Sequence, residues 1–487
     1  MNTINNSSSR IKQVFFFVLA LVSMFIVKEM PIADSIKIVG EAELNQIGQA
    51  TLGVLIFALI MWMTEAMPFH ITGLLSIVLL TLFKVDSFGE IVKAGFGNDT
   101  VTFFIGMLIL SAFVSSSGLG KRIGVWILSK TGNNTHNIVF GFIVTGTLLS
   151  MWIANMAVAA MLTPLAVAIL KEEGVKPYES NFGKALLISC IWGSLIGGVA
   201  TPSGASPNAI AVGLIREMAG IEITFGLWML YGVPAALLMA PVAYVLLMLF
   251  FKPEIKVLSK TKEELKQELH NFPPMDREER ITLFLFLLTV LLWLGTPVLK
   301  RILGISIPIA MPVLFTACLF FIPGATNIKW KEIESQISWN GILLIVSGIS
   351  LGMMLYTSGA ARWLSVVLLS GIGTLPVFIM IFVIIFFISI LKIFFSSNAV
   401  TATIIIPIVI ELALSLRIPV MTIALPASLV ASFSFILVTS SPTNVIAYSA
   451  GYFSIADYAK SGLLMTLFGS IILTTIIFVL GSLTGIY

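Results

Sequence analysis

The chain has 487 residues, 58% of them hydrophobic and only 11% charged, with a formal net charge of +4 and a mean hydropathy of +1.04. Soluble domains average about 25% charged residues, so a soluble enzyme or binding module is excluded, and so small a charge without a basic run gives no footing for a nucleic-acid partner. Two cysteines, Cys190 and Cys318, and three scattered histidines, His70, His136 and His270, form neither a disulfide framework nor a metal-ligand spacing.

Apolar runs of about 20 residues, the length that crosses a bilayer, recur along the chain. The first, "VFFFVLALVSMFIV", follows Arg10 and Lys12. No small-residue cleavage pattern follows closely, so it reads as a retained first helix. Spans are predicted near 14–27, 49–66, 69–84, 100–118, 182–214 and 226–251. A hydrophilic break, "FKPEIKVLSKTKEELKQELHNFPPMDREER", occupies 251–280, and further spans follow near 281–298, 305–322, 341–357, 419–449 and 464–482. The chain thus divides into an N-terminal helix and connector (1–48), a first half (49–251), a loop (252–280) and a second half (281–487). The stretch 251–280 carries seven Lys/Arg, so the positive-inside rule puts it and the N-terminus on the cytoplasmic side. Six crossings separate them, which leaves the C-terminus outside. Two segments, 137–170 and 375–415, are longer than one crossing and are interrupted by Asn and then Pro.

The halves echo one another at a shift near 240 residues. "SSSGLGKRIGVWILS" at 115–129 lies over "YTSGAARWLSVVLLS" at 356–370, and "SMWIANMAVAAMLTP" at 150–164 over "IFFSSNAVTATIIIP" at 393–407. "GGVATPSGASPNAI" at 197–210 has its counterpart in "ILVTSSPTNVI" at 436–446. Asn155 thereby matches Asn398, and Asn208 matches Asn444. Five crossings per repeat, an odd number, would turn the second repeat upside down, the plan of many secondary transporters.

A segment that enters the membrane and leaves on the same side must turn in non-helical backbone, which lipid cannot satisfy. The Asn-containing breaks in 137–170 and 375–415 therefore read as tips of two re-entrant hairpins meeting near the midplane. Helix ends there offer free N–H groups and about half a positive charge each. Asn155, Ser397 and Asn398 add amides and a hydroxyl. The "TPSGASPNA" and "TSSPTN" stretches read as unwound spans, because Pro removes a donor and Gly permits unusual dihedrals. Thr201, Ser206, Thr439 and Ser441 are expected to face the resulting gap. Lys392 lies deep in "FFISILKIFF", where a charge costs at least about 2.5–3.5 kcal/mol unless it snorkels or is paired. It reads either as a snorkelling side chain or as a fixed cation near an ion site. Glu65, near a span end, reads equally as an interfacial or a functional carboxylate, and Asp99, Lys184 and Glu411 fall near segment ends and are expected to touch water.

"WMTEAMP" before an apolar span, the paired Asn tips, the "SPN" and "SPTN" breaks and the central loop together resemble the divalent anion/sodium symporter family, over residues 49–482. That family includes sodium-coupled dicarboxylate and citrate transporters and bacterial dicarboxylate exchangers. The resemblance implies an all-α membrane fold of about 11 transmembrane helices plus two hairpins, a homodimer, and elevator-type movement of a transport domain against a scaffold. Its Ser-Asn-Thr carboxylate-binding triplets correspond to Ala154-Asn155-Met156 and Ser397-Asn398-Ala399, so three of four flanking hydroxyls are lost. The substrate-contacting Pro features correspond to Ser206-Pro207 and Ser441-Pro442. Sodium sites would map onto Ser150, Asn155 and Gly204 in one half, and onto Asn398 with the 439–441 backbone, including Ser440, in the other.

The expected function is secondary transport of small dicarboxylates such as succinate, malate or 2-oxoglutarate, without covalent chemistry and with no cofactor beyond possible sodium ions. Lys392, six residues before Asn398, would replace a lost sodium; a fixed charge cannot dissociate, which favours anion exchange. Sodium-coupled symport, and sulfate or a tricarboxylate as cargo, remain alternatives. A channel is disfavoured because paired tips suggest a closed site. An intramembrane hydrolase built on Ser397 and Lys392 leaves the repeat without a role. The short N-terminus and the absence of a cleavable signal suggest a bacterial inner membrane.

Overall fold

The computed structural model describes residues 2–31, 37–39, 42–259, 273–304 and 307–485. His270 and part of the central loop lie outside the described residues. Apart from a two-residue ladder, Ile38–Val39 with Ala42–Glu43, the regular structure is helical. Apolar runs favour helix in lipid because only there is every backbone group bonded within its own segment. Polar N-caps then set where the runs begin: Asn45, Ser87, Asn98, Asn134, Ser180, Thr224 and Ser454 each accept a first-turn N–H.

The first half comprises α1 (Asn2–Glu29), α2 (Gln46–Thr64), α3 (Phe69–Leu82), α4 (Phe88–Phe96), α5 (Asp99–Ser116), α6 (Leu119–Leu128), the arms α7 (Thr135–Ser150) and α8 (Asn155–Glu172), the pair α9 (Asn181–Val199) and α10 (Ser206–Ala219), and α11 (Phe225–Phe250). The second half runs α12 (Arg277–Leu303), α13 (Ala310–Leu319), α14 (Trp330–Glu334), α15 (Trp339–Thr357), α16 (Ala360–Leu369), the arms α17 (Val377–Leu391) and α18 (Asn398–Leu416), then α19 (Met421–Val430), α20 (Pro442–Tyr448) and α21 (Ile455–Thr484). Among the described residues, eleven helices are long and apolar enough to cross a membrane, hairpin arms included. The expected all-α membrane fold is the fold observed.

Both ends of the first hairpin meet the same linker. Thr135 donates to the carbonyl of Ile255 (2.6 Å), and Glu173 accepts from Ser259 (2.8 Å and 2.9 Å). The segment therefore turns back. That same end of the molecule holds the bidentate Arg122–Glu279 pair (2.7 Å) and Lys184 on Asp457 (3.2 Å). At the opposite end, Arg216 of α10 pairs with Asp99 of α5, and the Tyr356 hydroxyl donates to the carbonyl of Met218 (3.2 Å).

Several expectations need correction. The spans expected at 69–84 and 305–322 are short helices of 14 and 10 residues. α3 stops where Lys84 takes φ 55°, and the chain then turns into the amphipathic α4. The stretches 182–214 and 419–449 are each two helices with an unwound turn between them, as their Gly/Pro content implies. Glu411 does not sit at a water-exposed segment end. α18 continues to Leu416 and buries Glu411 to 8% exposure, within electrostatic reach of Arg362.

Candidate functional site

The two hairpins break where the Asn residues stand. α7 ends in a turn over 151–154 and α8 starts at Asn155. α17 tightens into a 3-10 turn, Lys392–Phe394, before α18 starts at Asn398. Beside each tip lies an unwound turn, 200–205 or 431–441, the second holding only a short 3-10 turn, Val438–Ser440, so several backbone groups lack α-helical partners. The chain supplies them from side chains at matching offsets. Asn208 Nδ2 donates to the carbonyls of Gly198 (2.7 Å) and Thr201 (2.8 Å), ten and seven residues earlier; Asn444 Nδ2 donates to those of Ser434 (2.7 Å) and Leu437 (3.0 Å), again ten and seven earlier. A neighbouring helix props each turn. Trp228 Nε1 on α11 donates to the carbonyl of Val199 (3.0 Å), and the Tyr458 hydroxyl on α21 to that of Ser434 (2.8 Å). Four residues after each, Gly232 and Gly462 bring their helices against the turn backbone. The sequence match of the halves is thus a match of contacts.

These matched bonds carry a prediction. Asn444→Ala strips donors from two buried carbonyls, a loss of about 1–3 kcal/mol. The variant is expected to unfold at a lower temperature in detergent, and Asn444→Asp, which sets a carboxylate against those carbonyls, to unfold lower still. A melting curve of each checks this; unchanged midpoints would remove the bracing role.

Tips and turns enclose a cavity of about 380 Å³. Asn155, Gly204, Ser206, Pro207, Ser397, Asn398, Ser441 and Pro442 all line it, as the motifs predict. Its opposite wall comes from the starts of α3 and α15, which present Phe69, His70, Ser338 and Asn340. Five helices of 14 residues or more begin at this cavity: α3, α8, α10, α15 and α18. At α15 the Ser338 side chain accepts from the Gly341 N–H. Pro68, Ala154, Ala205 and Ser397 make no side-chain cap bond, so first-turn N–H groups at four of these helices stay available to a ligand. None of the described lining residues is Asp or Glu. The cavity is built for negative charge.

Behind the tips the halves diverge. The Asn155 carboxamide lies among Ser150 Oγ (2.7 Å), the carbonyl of Ser194 (3.2 Å) and the carbonyl of Gly204 (2.8 Å). With its nitrogen turned toward them the amide has three acceptors within reach of its two N–H groups. With its oxygen there, four oxygens converge, an arrangement a small hard cation would satisfy. Around Asn398 the chain places an amine: Lys392 Nζ donates to Asn398 Oδ1 and to Ser434 Oγ, and Ser434 Oγ also donates to Asn398 Oδ1 (2.7 Å). Lys392 is 1% exposed and pairs with no described carboxylate, so it does not snorkel. Asn398 separates it from the cavity, which it does not line.

Not every predicted residue faces the ligand. Ser150 and Ser440 are buried behind the tips, Ser440 Oγ donating to the carbonyl of Leu437 (2.7 Å). Thr201 is buried against the Met151 carbonyl and Ser203, and Thr439 is exposed away from the cavity. Ser203 and Thr443 line it in their stead: Ser203 stands in an unwound turn, which follows no helical periodicity, and Thr443 in the first turn of α20. The sequence motifs do not point to His70, Asn340 or Ser434. A capless "MPFH" start after Glu65 was the available signal for His70; for Asn340 and Ser434 local sequence offers none.

Comparison with known proteins agrees with this geometry. Residues 12–486 match the family model described as the sodium:sulfate symporter transmembrane region. The chain is similar to the sodium-dependent dicarboxylate transporter SdcS of Staphylococcus saprophyticus, at 28% identity over 453 residues, covering 90% of this chain and 87% of that protein. It is equally similar to SdcS of Staphylococcus aureus, at 28% over 447 residues, covering 88% and 85%. Among solved structures, its fold resembles the YdaH transporter of Alcanivorax borkumensis (TM-score 0.53, 13% identity, 97% and 98% covered) and MtrF of Neisseria gonorrhoeae (TM-score 0.52, 13% identity, 96% and 94% covered). The chain therefore belongs to the sodium:sulfate symporter family of membrane transporters.

Proposed function

We propose that the protein carries small dicarboxylates such as succinate, malate or 2-oxoglutarate across the membrane by exchanging one anion for another. One observation carries the reading: a buried lysine, Lys392, with no carboxylate partner among the described residues, stands one side chain behind a cavity lined by five helix starts, four of them without a side-chain cap, and by no acid. A charge so placed is unfavourable alone and favourable beside a dianion. Asn398 Oδ1 is taken by Lys392 and Ser434, which leaves its Nδ2 for a carboxylate. Asn155 serves the other end of the ligand, with Ser206, Ser397 and Ser441 and the helix dipoles. Crossing without an anion would leave the lysine uncompensated, so only the loaded site moves readily.

The same reading has the two halves as inverted repeats, with tips and unwound turns moving as a unit against α3, α5 and α15 in an elevator. It puts the central loop and the start of α1 in the cytoplasm of a bacterial cell, the C-terminus outside, and two copies in the working assembly. The relatives are named sodium-dependent, and one observation favours a second reading, sodium coupling: the oxygens of Ser150, Ser194 and Gly204 gather around the Asn155 carboxamide in the first half.

Uptake of labelled succinate into proteoliposomes separates them. Exchange predicts uptake only into vesicles preloaded with dicarboxylate, indifferent to an inward sodium gradient. Sodium-driven uptake into vesicles without internal anion would show that the first-half oxygen cluster works as a cation site, and would overturn obligatory exchange.

A further inference from the structure

His70 has no place in the account so far. It stands in the first turn of α3, on the cavity wall facing the hairpin tips, and is the one titratable side chain among the described residues lining that cavity. No hydrogen bond to a described residue orients its ring, and Pro68 before it leaves the α3 N-terminus without a side-chain cap. The charge balance is short by one. A dicarboxylate brings two negative charges, whereas Lys392 supplies one positive charge from behind Asn398. The other polar groups of the cavity are neutral amides and hydroxyls.

We infer that protonated His70 is a substrate-binding residue that supplies the second positive charge for a dianion in the conformation shown. The inference rests on the dicarboxylate reading above. Histidine suits such a role because it can gain and lose charge between about pH 5 and 8. The surrounding elements offer little to mask it. On α2 the nearest acid is Glu65, exposed at the helix end. On α4, Glu90 and Lys93 are exposed and paired with each other (3.6 Å). α15 presents Ser338 and Asn340 to the cavity, and its Tyr356 lies at the opposite end. On α5, Phe104 and Leu108 face the cavity, and Asp99 is held by Arg216 at the far end. From the tips, no charged side chain reaches the cavity wall, and Lys392 lies behind Asn398.

The consequence is a binding site whose affinity depends on pH at one face. His70 belongs to α3, whereas Lys392 travels with the hairpin. Movement of the tips away from α3 leaves His70 behind and keeps Lys392 beside the ligand. Protonation favours the dianion, so affinity at the His70 face increases as pH falls.

The test is the KM for labelled succinate in counterflow, measured at pH 6 and pH 8 in membrane vesicles that expose the central-loop face, for the wild type, His70→Gln and His70→Lys. For the wild type we expect a KM about five- to tenfold lower at pH 6, the size of one added charge at cavity distances in a partly solvated site. His70→Gln is expected to show the wild-type KM of pH 8 at both pH values, and His70→Lys the low KM at both. Titration of succinate itself is common to all three proteins and cancels in the comparison. A wild-type pH ratio retained by His70→Gln overturns the inference; so does a His70→Gln protein that fails at pH 8, where glutamine stands in for a neutral ring. Failure of every protein to show succinate counterflow at either pH would instead overturn the dicarboxylate reading.

Discussion

Replacing Lys392 with methionine is expected to abolish exchange while raising the temperature at which the protein unfolds in detergent. Methionine keeps the length and the packing of the side chain and removes the charge. In the folded protein Lys392 Nζ meets Asn398 Oδ1 and Ser434 Oγ and no described carboxylate. A buried charge without a charged partner carries its full cost of leaving water, so an apolar residue of similar volume is expected to stabilise the fold. The dianion loses a counter-charge held close by in a site of low polarity, which is expected to cost about 100-fold or more in kcat/KM. Lys392→Arg is not expected to rescue transport, since a guanidinium spreads five donors over a planar fork where two acceptors converge. The two readouts move in opposite directions, which separates a charge-balancing lysine from a merely structural one. A methionine variant that still exchanges at the wild-type rate, or one that unfolds earlier, would remove Lys392 from the mechanism. Counterflow and a melting curve on one preparation decide between these outcomes.

The second large effect comes from a residue that touches no ligand. Gly462→Ala is expected to lower stability by about 1–3 kcal/mol or more and to depress transport with it. A Cβ at Gly462 would overlap the Phe435 carbonyl oxygen, a backbone atom that cannot rotate aside. Either α21 or the turn at 434–435 must move. Ser434 is fastened on three sides: its carbonyl accepts from Asn444 (2.7 Å) and Tyr458 (2.8 Å), and its hydroxyl meets Asn398 and Lys392. Displacement of this turn therefore shifts the second tip and the charge behind it. Gly232→Ala is expected to act in the same way on the first turn, where its Cβ would fall 2.6 Å from the Ala200 oxygen and 2.7 Å from the Val199 oxygen. Gly226→Ala serves as the control, since a Cβ there meets nothing within 4 Å. Similar melting and transport for Gly462→Ala and Gly226→Ala would show that the turn is not braced in this way.

Sequence by itself determined the membrane class, the helical fold, the two hairpins and eight of the residues that line the cavity. The reason is the bilayer. Lipid makes any polar break in an apolar run unfavourable, so Asn155, Asn398, "TPSGASPN" and "TSSPTN" announce themselves against their surroundings. Lys392 could be singled out on the same grounds. Tertiary structure alone decided how those residues divide their work. Ser434 stands 36 residues from Asn398, in a stretch that reads as ordinary apolar sequence, and only the fold of the unwound turn brings its hydroxyl to the lysine. Asn340 and His70 enter the site because α3 and α15 pack together and turn their starts toward the tips, a juxtaposition that no local pattern encodes. Glu411 reads as a residue near a segment end, yet the length of α18 and the position of α16 bury it beside Arg362. Thr201 and Thr439 show the same limit from the other side: within an unwound turn the direction of each side chain follows from hydrogen bonds made across the fold, and these are absent from a linear string.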